Sequence, residues 1–301
     1  MVSKPVVIGF MGVGAIGRPM AERMLAEHPV IICDVSRQAR EYLAGNAETV
    51  DSAEELGNRA DIVFACLPSL QSYRDAILST GGLLSGRRLR TFVHVGTTGP
   101  ELTREMDAAC TASGVSMIDA PVTGGPARAR TGRLGVMAAG DQNAFAEVEP
   151  LIRTYASTIT YLGSQPGQAQ IMKLINNLLS AANLAVASEV LVLGVKAGLD
   201  PVQMLEVLNS GTGQNSATLT KIPDHILRRT FDYGGRLEVV HKDLASMVRQ
   251  ADHLGLPAPL SRMIEATYQT AISDEGADAD MTTVIRHMER RAGIEVVDST
   301  L

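Results

Sequence analysis

Near the start of the chain a short β-branched run, Val6–Phe10, breaks directly into Gly12, Val13, Gly14, Ala15, Ile16 and Gly17. Glycines at this spacing, between a strand and a helix, let the backbone turn tightly, approach a pyrophosphate and seat the helix on the sheet. The phosphates then lie at the helix N-terminus, where unpaired N–H groups point outward. A second run, Val30–Cys33, leads into Asp34, twenty-two residues beyond Gly12. An acid at that place accepts hydrogen bonds from the ribose hydroxyls of a dinucleotide. The six loop residues and Asp34 are therefore the candidate cofactor site. Asp34 repels a 2′-phosphate, which favours NAD over NADP, although Arg37 would offset that repulsion if it turned inward.

Further β-branched runs at Asp61–Cys66, Thr91–Val95, Ser116–Asp119, Leu134–Ala139 and Thr158–Leu162 alternate with helical stretches. Those stretches are Gly14–Glu27, Arg37–Ala44, Ala53–Asn58, Tyr73–Leu78, Glu101–Ser113 and Ala144–Tyr155. The alternation predicts a doubly wound α/β domain of Rossmann type with a mostly parallel sheet. After Gly163–Gly167 only helical periodicity remains. A long helix is expected over Gln168–Ala197, stopped by Gly198, with others at Pro201–Asn209, Leu237–Leu254, Ala258–Ser273 and Thr282–Ala292. The chain of 301 residues has room for two domains. The expected division is a cofactor domain over 1–164 and an all-helical substrate and oligomerisation domain over 165–301, joined by the long helix.

The formal net charge of −6 and an aromatic content of 4%, without Trp, argue against nucleic acid as a partner. Three cysteines, Cys33, Cys66 and Cys110, form no CxxC pair and fit a reducing compartment, so a cytoplasmic protein is expected. The apolar stretch Leu174–Val195 is long enough to suggest a membrane span, but it carries Asn176, Asn177, Ser180, Asn183, Ser188 and Glu189 and reads better as a buried helix. The six histidines show no metal-ligand spacing, so no metal is expected. His94, near a strand end, reads as a core or ribose-proximal residue rather than a catalytic one.

Oxidation of an alcohol by a nicotinamide requires a group that takes the hydroxyl proton. Lys173 and Asn177, at i and i+4 on the long helix, share one face. A lysine on a largely apolar helix at a domain junction is partly desolvated, which disfavours its charged form and suits proton exchange near neutrality. On spacing alone, a surface lysine reaching its head to water is the simpler reading.

Four stretches decide between these readings. GFMGVGAIGRPMAERML (Gly9–Leu25), DAPVTGG (Asp119–Gly125), KLINN (Lys173–Asn177) and HKDL (His241–Leu244) are together similar to the motifs of the β-hydroxyacid dehydrogenase family. That family includes 3-hydroxyisobutyrate dehydrogenase, tartronate semialdehyde reductase and 6-phosphogluconate dehydrogenase. The resemblance implies that Thr123, Gly124 and Gly125 anchor a substrate carboxylate and that Lys173 is the general acid/base with Asn177 as its partner. It also implies that Leu67, Pro68 and Thr97 touch the cofactor, and that Lys242 lies near nicotinamide or substrate. The reaction implied is hydride transfer between NAD(P) and a small 3-hydroxy acid or its semialdehyde or keto acid. A homodimer or homotetramer is also implied.

The chain departs from the family pattern in places. Thr123 replaces the usual serine, and Gly234, Gly235 and Arg236 stand where an aromatic is common. Arg128 and Arg130 follow the carboxylate motif and read as solvated arginines or as contacts to a second anion. An imine reductase of the same fold typically lacks the lysine, and a non-catalytic cofactor-binding protein would have lost it. Lys173 argues against both, while the length argues against 6-phosphogluconate dehydrogenase itself.

Overall fold

The computed structural model describes residues 5–298. In chain order the first elements are β1 (Ile8–Met11), α1 (Gly17–Leu25), β2 (Val30–Cys33), α2 (Arg37–Leu43), β3 (Glu48–Val50), α3 (Ala53–Arg59) and β4 (Ile62–Ala65). Then come α4 (Leu70–Tyr73), running on as a π-helical turn to Leu78, β5 (Thr91–His94), α5 (Gly99–Ala112) and β6 (Ser116–Asp119). The series ends with β7 (Val122–Thr123), α6 (Gly125–Arg130), β8 (Leu134–Gly140), α7 (Gln142–Arg153) and β9 (Ala156–Tyr161).

The strands β1, β2 and β4 read IGFM, VIIC and IVFA without polar alternation, and every residue in them is buried. Such runs belong to a parallel sheet covered on both faces. Phe10, Ile32, Phe64, Val93 and Ile118 enter the core on one face, and Met11, Ile31, Val63, Phe92 and Met117 enter that on the other. The sheet order is β3-β2-β1-β4-β5-β6-β8-β7, with β9 paired to β8. It is parallel from β3 to β6, whereas β8 runs antiparallel to both β6 and β7. The order reverses at β1, the place where doubly wound sheets open a crevice at the carboxyl ends of their strands. Those ends are level: Met11 pairs with Cys33 and Ala65, Ala65 with His94, and His94 with Asp119.

Strands β3 and β7 and helix α6 are additions to the sequence reading. With three, two and six residues they are too short to show a period. β9 starts at Ala156, two residues before the expected Thr158, because α7 already stops at Arg153.

Contacts divide the chain into two compact units, one up to Lys173 and one from Leu174. The second unit is helical: most of α8 (Gln168–Lys196), α9 (Pro201–Ser210), a π-helix over Ala217–Ile226, α10 (Leu237–His253), α11 (Pro259–Glu275) and α12 (Val284–Ala292). The π-helix, which contains Pro223, was not expected. Leu184, Leu191, Leu205, Ile222, Leu244, Tyr268 and Ile285 form the core of this unit. α8 is long and apolar enough to cross a membrane by length and composition. Its Ala181, Leu184, Ala185, Leu191 and Val192 sit in the helical core, which accounts for one face of the apolar run, whereas Leu179, Val186, Val190 and Leu193 stay exposed.

Candidate active site

The level strand ends place most of the expected first-unit residues along one edge of the sheet. The glycine loop follows β1, Asp34 follows β2, Leu67 and Pro68 follow β4, Thr97 follows β5, and Thr123 to Gly125 follow β6. Within the loop the glycines have different tasks. Gly12 has φ +88°, and a Cβ there would lie 2.4 Å from the Cys66 carbonyl oxygen; a Cβ on Gly17 would lie 1.9 Å from the Gly12 oxygen. Packing of the protein on itself demands those two. A Cβ on Gly14 would meet nothing within 4 Å, so the space beside it is left for a ligand. No side chain caps α1, and its first turn holds no acid. The chemistry of this cradle fits a dinucleotide pyrophosphate.

Asp34 does more than the sequence suggested. One carboxylate oxygen accepts from the Val13 N–H at 2.8 Å and the other from the Ser36 N–H at 2.8 Å, so it braces the glycine loop. A carboxylate offers about four acceptor sites, which leaves two for ribose hydroxyls. Arg37 does not turn inward: it pairs with Glu41 at 2.7 Å, largely exposed. Arg40 donates to the Asp34 carbonyl and pairs with Asp51 at 2.9 Å.

The loops after β4 and β5 are tied together by a residue that sequence reading passed over. The Tyr73 hydroxyl accepts from Leu67 N–H at 3.1 Å and Gly96 N–H at 3.0 Å, and donates to the Ala65 carbonyl at 2.9 Å. Burial raises its pKa well above the ordinary tyrosine value, which keeps the donated proton in place. His94 is fully buried, with its ring edge-on to Tyr73 at 4.6 Å and Asp119 3.6 Å from its Nδ1. It is a core residue.

Asp119 opens the DAPVTGG stretch and is buried completely. Its carboxylate accepts from Gly167 N–H at 2.9 Å, Gln170 N–H at 3.2 Å and the Gln170 side-chain amide at 2.6 Å. The Gln170 oxygen accepts in turn from the Thr98 and Gly99 N–H groups at 2.9 and 3.1 Å, and its amide also donates to Gly96 at 3.1 Å. Thus the ends of β5 and β6 hold the first turn of α8, and Lys173 lies three residues beyond Gln170. In the DAPVTGG turn Gly124 and Gly125 have φ +125° and +71°, conformations that a side chain would strain. The Arg128 stem lies over this turn, with Cδ 2.9 Å from where a Gly124 Cβ would be. Among the described residues neither Arg128 nor Arg130 has a carboxylate partner, and both are exposed.

In the second unit, Asn177 donates to Asp243 at 2.6 Å, and Lys242 lies 3.2 Å from the other Asp243 oxygen. Asp243 is the D of HKDL, so the motif contributes a buried carboxylate that orients Asn177 as well as the lysine the sequence reading chose. Arg236 pairs with Glu238 and Asp278 at 2.8 and 3.0 Å, and Gly235 faces Met281, whose sulfur would be 3.1 Å from a Cβ there.

Residues 7–163 match the profile of the NAD binding domain of 6-phosphogluconate dehydrogenase, and residues 167–288 match that of the NAD-binding region of NADP-dependent 3-hydroxyisobutyrate dehydrogenase. The chain belongs to the β-hydroxyacid dehydrogenase family. Its relatives include 2-(hydroxymethyl)glutarate dehydrogenase of Eubacterium barkeri, 29% identical over 97% of this chain and 98% of that protein. 3-Hydroxyisobutyrate dehydrogenase of Pseudomonas aeruginosa is 30% identical over 90% of this chain and 95% of its own. Among solved structures, 3-hydroxyisobutyrate dehydrogenase of Mycobacterium tuberculosis with L-serine superposes with a TM-score of 0.85 at 27% identity, covering 95% and 99% of the two chains. This β-hydroxyacid dehydrogenase is accordingly an NAD(P)-dependent oxidoreductase of small hydroxy acids. Asp119, Gln170, Tyr73 and Asp243 are the supporting residues that motif reading did not single out in it. For Asp119 and Asp243 the signal was present, since each lies inside a quoted motif.

Proposed function

We propose that the enzyme oxidises a small 3-hydroxy acid to its semialdehyde or keto acid, reversibly, with Lys173 as general acid/base. The observation that carries this reading is the Asp119 clamp. One buried carboxylate begins the turn that ends in Thr123, Gly124 and Gly125 and also grips the helical turn before Lys173. The turn and the start of α8 are thereby tied together, which supports reading them as a carboxylate-binding turn and a proton-transfer group held in fixed orientation. The Thr123 hydroxyl and the N–H groups of Gly124 and Gly125 hold the substrate carboxylate. Lys173 takes the hydroxyl proton as the adjacent C–H gives up hydride, and returns it in reduction. Asn177, aimed by Asp243, holds the reacting oxygen, and Lys242 adds positive charge for an anionic substrate. Bound NAD supplies the hydride acceptor, held by the glycine loop, Asp34, Leu67, Pro68 and Thr97.

NAD is preferred over NADP because the Asp34 carboxylate faces the 2′ position while the charges of Arg37 and Arg40 are engaged by Glu41 and Asp51. The test is steady-state turnover of 3-hydroxyisobutyrate, 3-hydroxypropionate, glycerate, threonate, serine and 4-hydroxybutyrate with each nucleotide. At least one 3-hydroxy acid is expected to be oxidised, with higher kcat/KM for NAD. A dead panel, with no hydroxy dicarboxylic acid oxidised either, would defeat the reaction assignment, and a preference for NADP would defeat the role given to Asp34.

The assembly is proposed to be a homo-oligomer built on α8. Leu179, Val186, Val190 and Leu193 form one stripe on that helix, 38% to 72% exposed, opposite the residues in its core. Burying such side chains is worth about 1.5–3 kcal/mol each. Val186→Glu with Leu193→Glu is expected to reduce the mass measured by light scattering to that of a single chain. An unchanged multimer would place the interface elsewhere.

A further inference from the structure

Lys221 lies on the Ala217–Ile226 π-helix and is only 3% exposed. Lysines are almost never buried so far without an anionic partner. Among the described residues no carboxylate comes within ion-pair distance of it. Its ammonium donates to the Ser180 hydroxyl at 2.9 Å and stands 5.4 Å from the centre of the Tyr233 ring. An ammonium has three protons to give, and a single hydroxyl leaves that capacity underused. Burial lowers its pKa from the ordinary lysine value, as expected for a charge with no counter-charge beside it.

The partner of Lys221 is placed with some economy. Ser180 lies on α8 seven residues beyond Lys173 and three beyond Asn177, so the three share one face of that helix. Two helical turns separate Lys173 from Ser180, about 10 Å along the axis. Side chains on a helix lean toward its N-terminus, so the Ser180 hydroxyl leans back toward Asn177. Arg128 and Arg130, which also have no carboxylate partner among the described residues, are exposed and have water to solvate them. Lys221 has no such outlet.

We infer that Lys221, with Ser180, receives a second carboxylate on the substrate whose hydroxyl is handled at Lys173, making this enzyme selective for hydroxy dicarboxylic acids. The inference rests on the dehydrogenase reading and specifies its substrate class. The missing counter-charge of a buried cation is then brought by the ligand itself, and a monocarboxylate leaves it missing.

The test compares 3-hydroxyisobutyrate with analogues in which its methyl group is extended to a carboxymethyl or carboxyethyl arm. Wild type is expected to have a higher kcat/KM for a two-carboxylate substrate. Lys221→Met, which keeps the apolar stem, is expected to raise the KM for that substrate roughly 10- to 100-fold, the range for a lost charged hydrogen bond, with kcat changed less. Constants for 3-hydroxyisobutyrate should stay within about threefold, and Lys221→Arg should recover part of the loss. An equal loss on both substrates, or no wild-type preference for two carboxylates, overturns the inference alone. If the wild type oxidises none of these compounds, the dehydrogenase reading fails and the inference with it. Should Lys221→Met not fold, wild type decides by inhibition: succinate binding at least about tenfold better than propionate supports the site, and equal binding refutes it.

Discussion

Replacing Lys173 with Met is expected to lower kcat/KM by about two to four orders of magnitude, the usual contribution of a positioned acid or base. The reason is specific to the amine. Met preserves the length and apolar stem of the side chain and removes the one group on this face of α8 that can both accept and return a proton. Lys173→Arg sharpens the test, because a guanidinium keeps the charge but does not release its proton at neutral pH. If the lysine only attracted an anionic substrate, Arg would restore turnover; with proton transfer as its task, Arg should be nearly as inactive as Met. NAD affinity, followed by nucleotide fluorescence, should be unchanged in both variants, since the contacts proposed for the cofactor are the glycine loop, Asp34, Leu67, Pro68 and Thr97. A Met variant with more than a tenth of wild-type turnover would remove Lys173 from the mechanism.

The second large effect separates glycines that look alike in the sequence. Gly14→Val is expected to leave the fold intact, because the protein puts nothing within 4 Å of a Cβ at that position. It should weaken NAD binding by roughly 100-fold, the equivalent of losing one or two charge-assisted hydrogen bonds to phosphate. Even Gly12→Ala should behave differently, costing about 2–5 kcal/mol of stability. That residue combines φ +88° with a Cβ that would lie 2.4 Å from a backbone oxygen, adding strain to overpacking. Thermal denaturation and nucleotide titration on the two variants give the comparison. NAD affinity of wild-type strength in Gly14→Val would mean that the pyrophosphate does not lie where the loop geometry puts it.

The α/β alternation was legible because each central strand is buried on both faces and so must be apolar at every position, which leaves a run that periodicity detects. β3 and β7 left no such run: Glu48 and Thr49 of β3 and both residues of β7 remain partly or fully solvent-facing. The π-helix at Ala217–Ile226 was hidden by Pro223, which ordinarily argues against a helix interior. The site divides in the same way. The glycine loop and Asp34 could be read because backbone conformation and phosphate chemistry restrict which residues are tolerated at fixed spacing, whereas the carboxylate role of the DAPVTGG turn came from the family resemblance. Gln170 could not, since a glutamine in the first turn of a helix has no sequence signature. Its meaning comes from Asp119, fifty-one residues earlier, and from the loop at Gly96 to Gly99. Lys221 is a similar case: a lysine two residues before a proline looks like surface until burial is known.

From the amino-acid order alone came the doubly wound sheet, the helical second half and the nucleotide loop, because strand burial and tight turns are local constraints written in neighbouring residues; the choice of Lys173 came from the resemblance of four motifs to those of the family, since its spacing by itself reads as a surface lysine. The tertiary structure alone decided which groups support them. It tied the Asp34 carboxylate to the glycine loop, made Asp119 the clamp for α8, and left Lys221 enclosed with no counter-charge among the described residues. Hydrogen bonds and desolvation depend on distance in space, and residues that supply them come from strands and helices far apart along the chain.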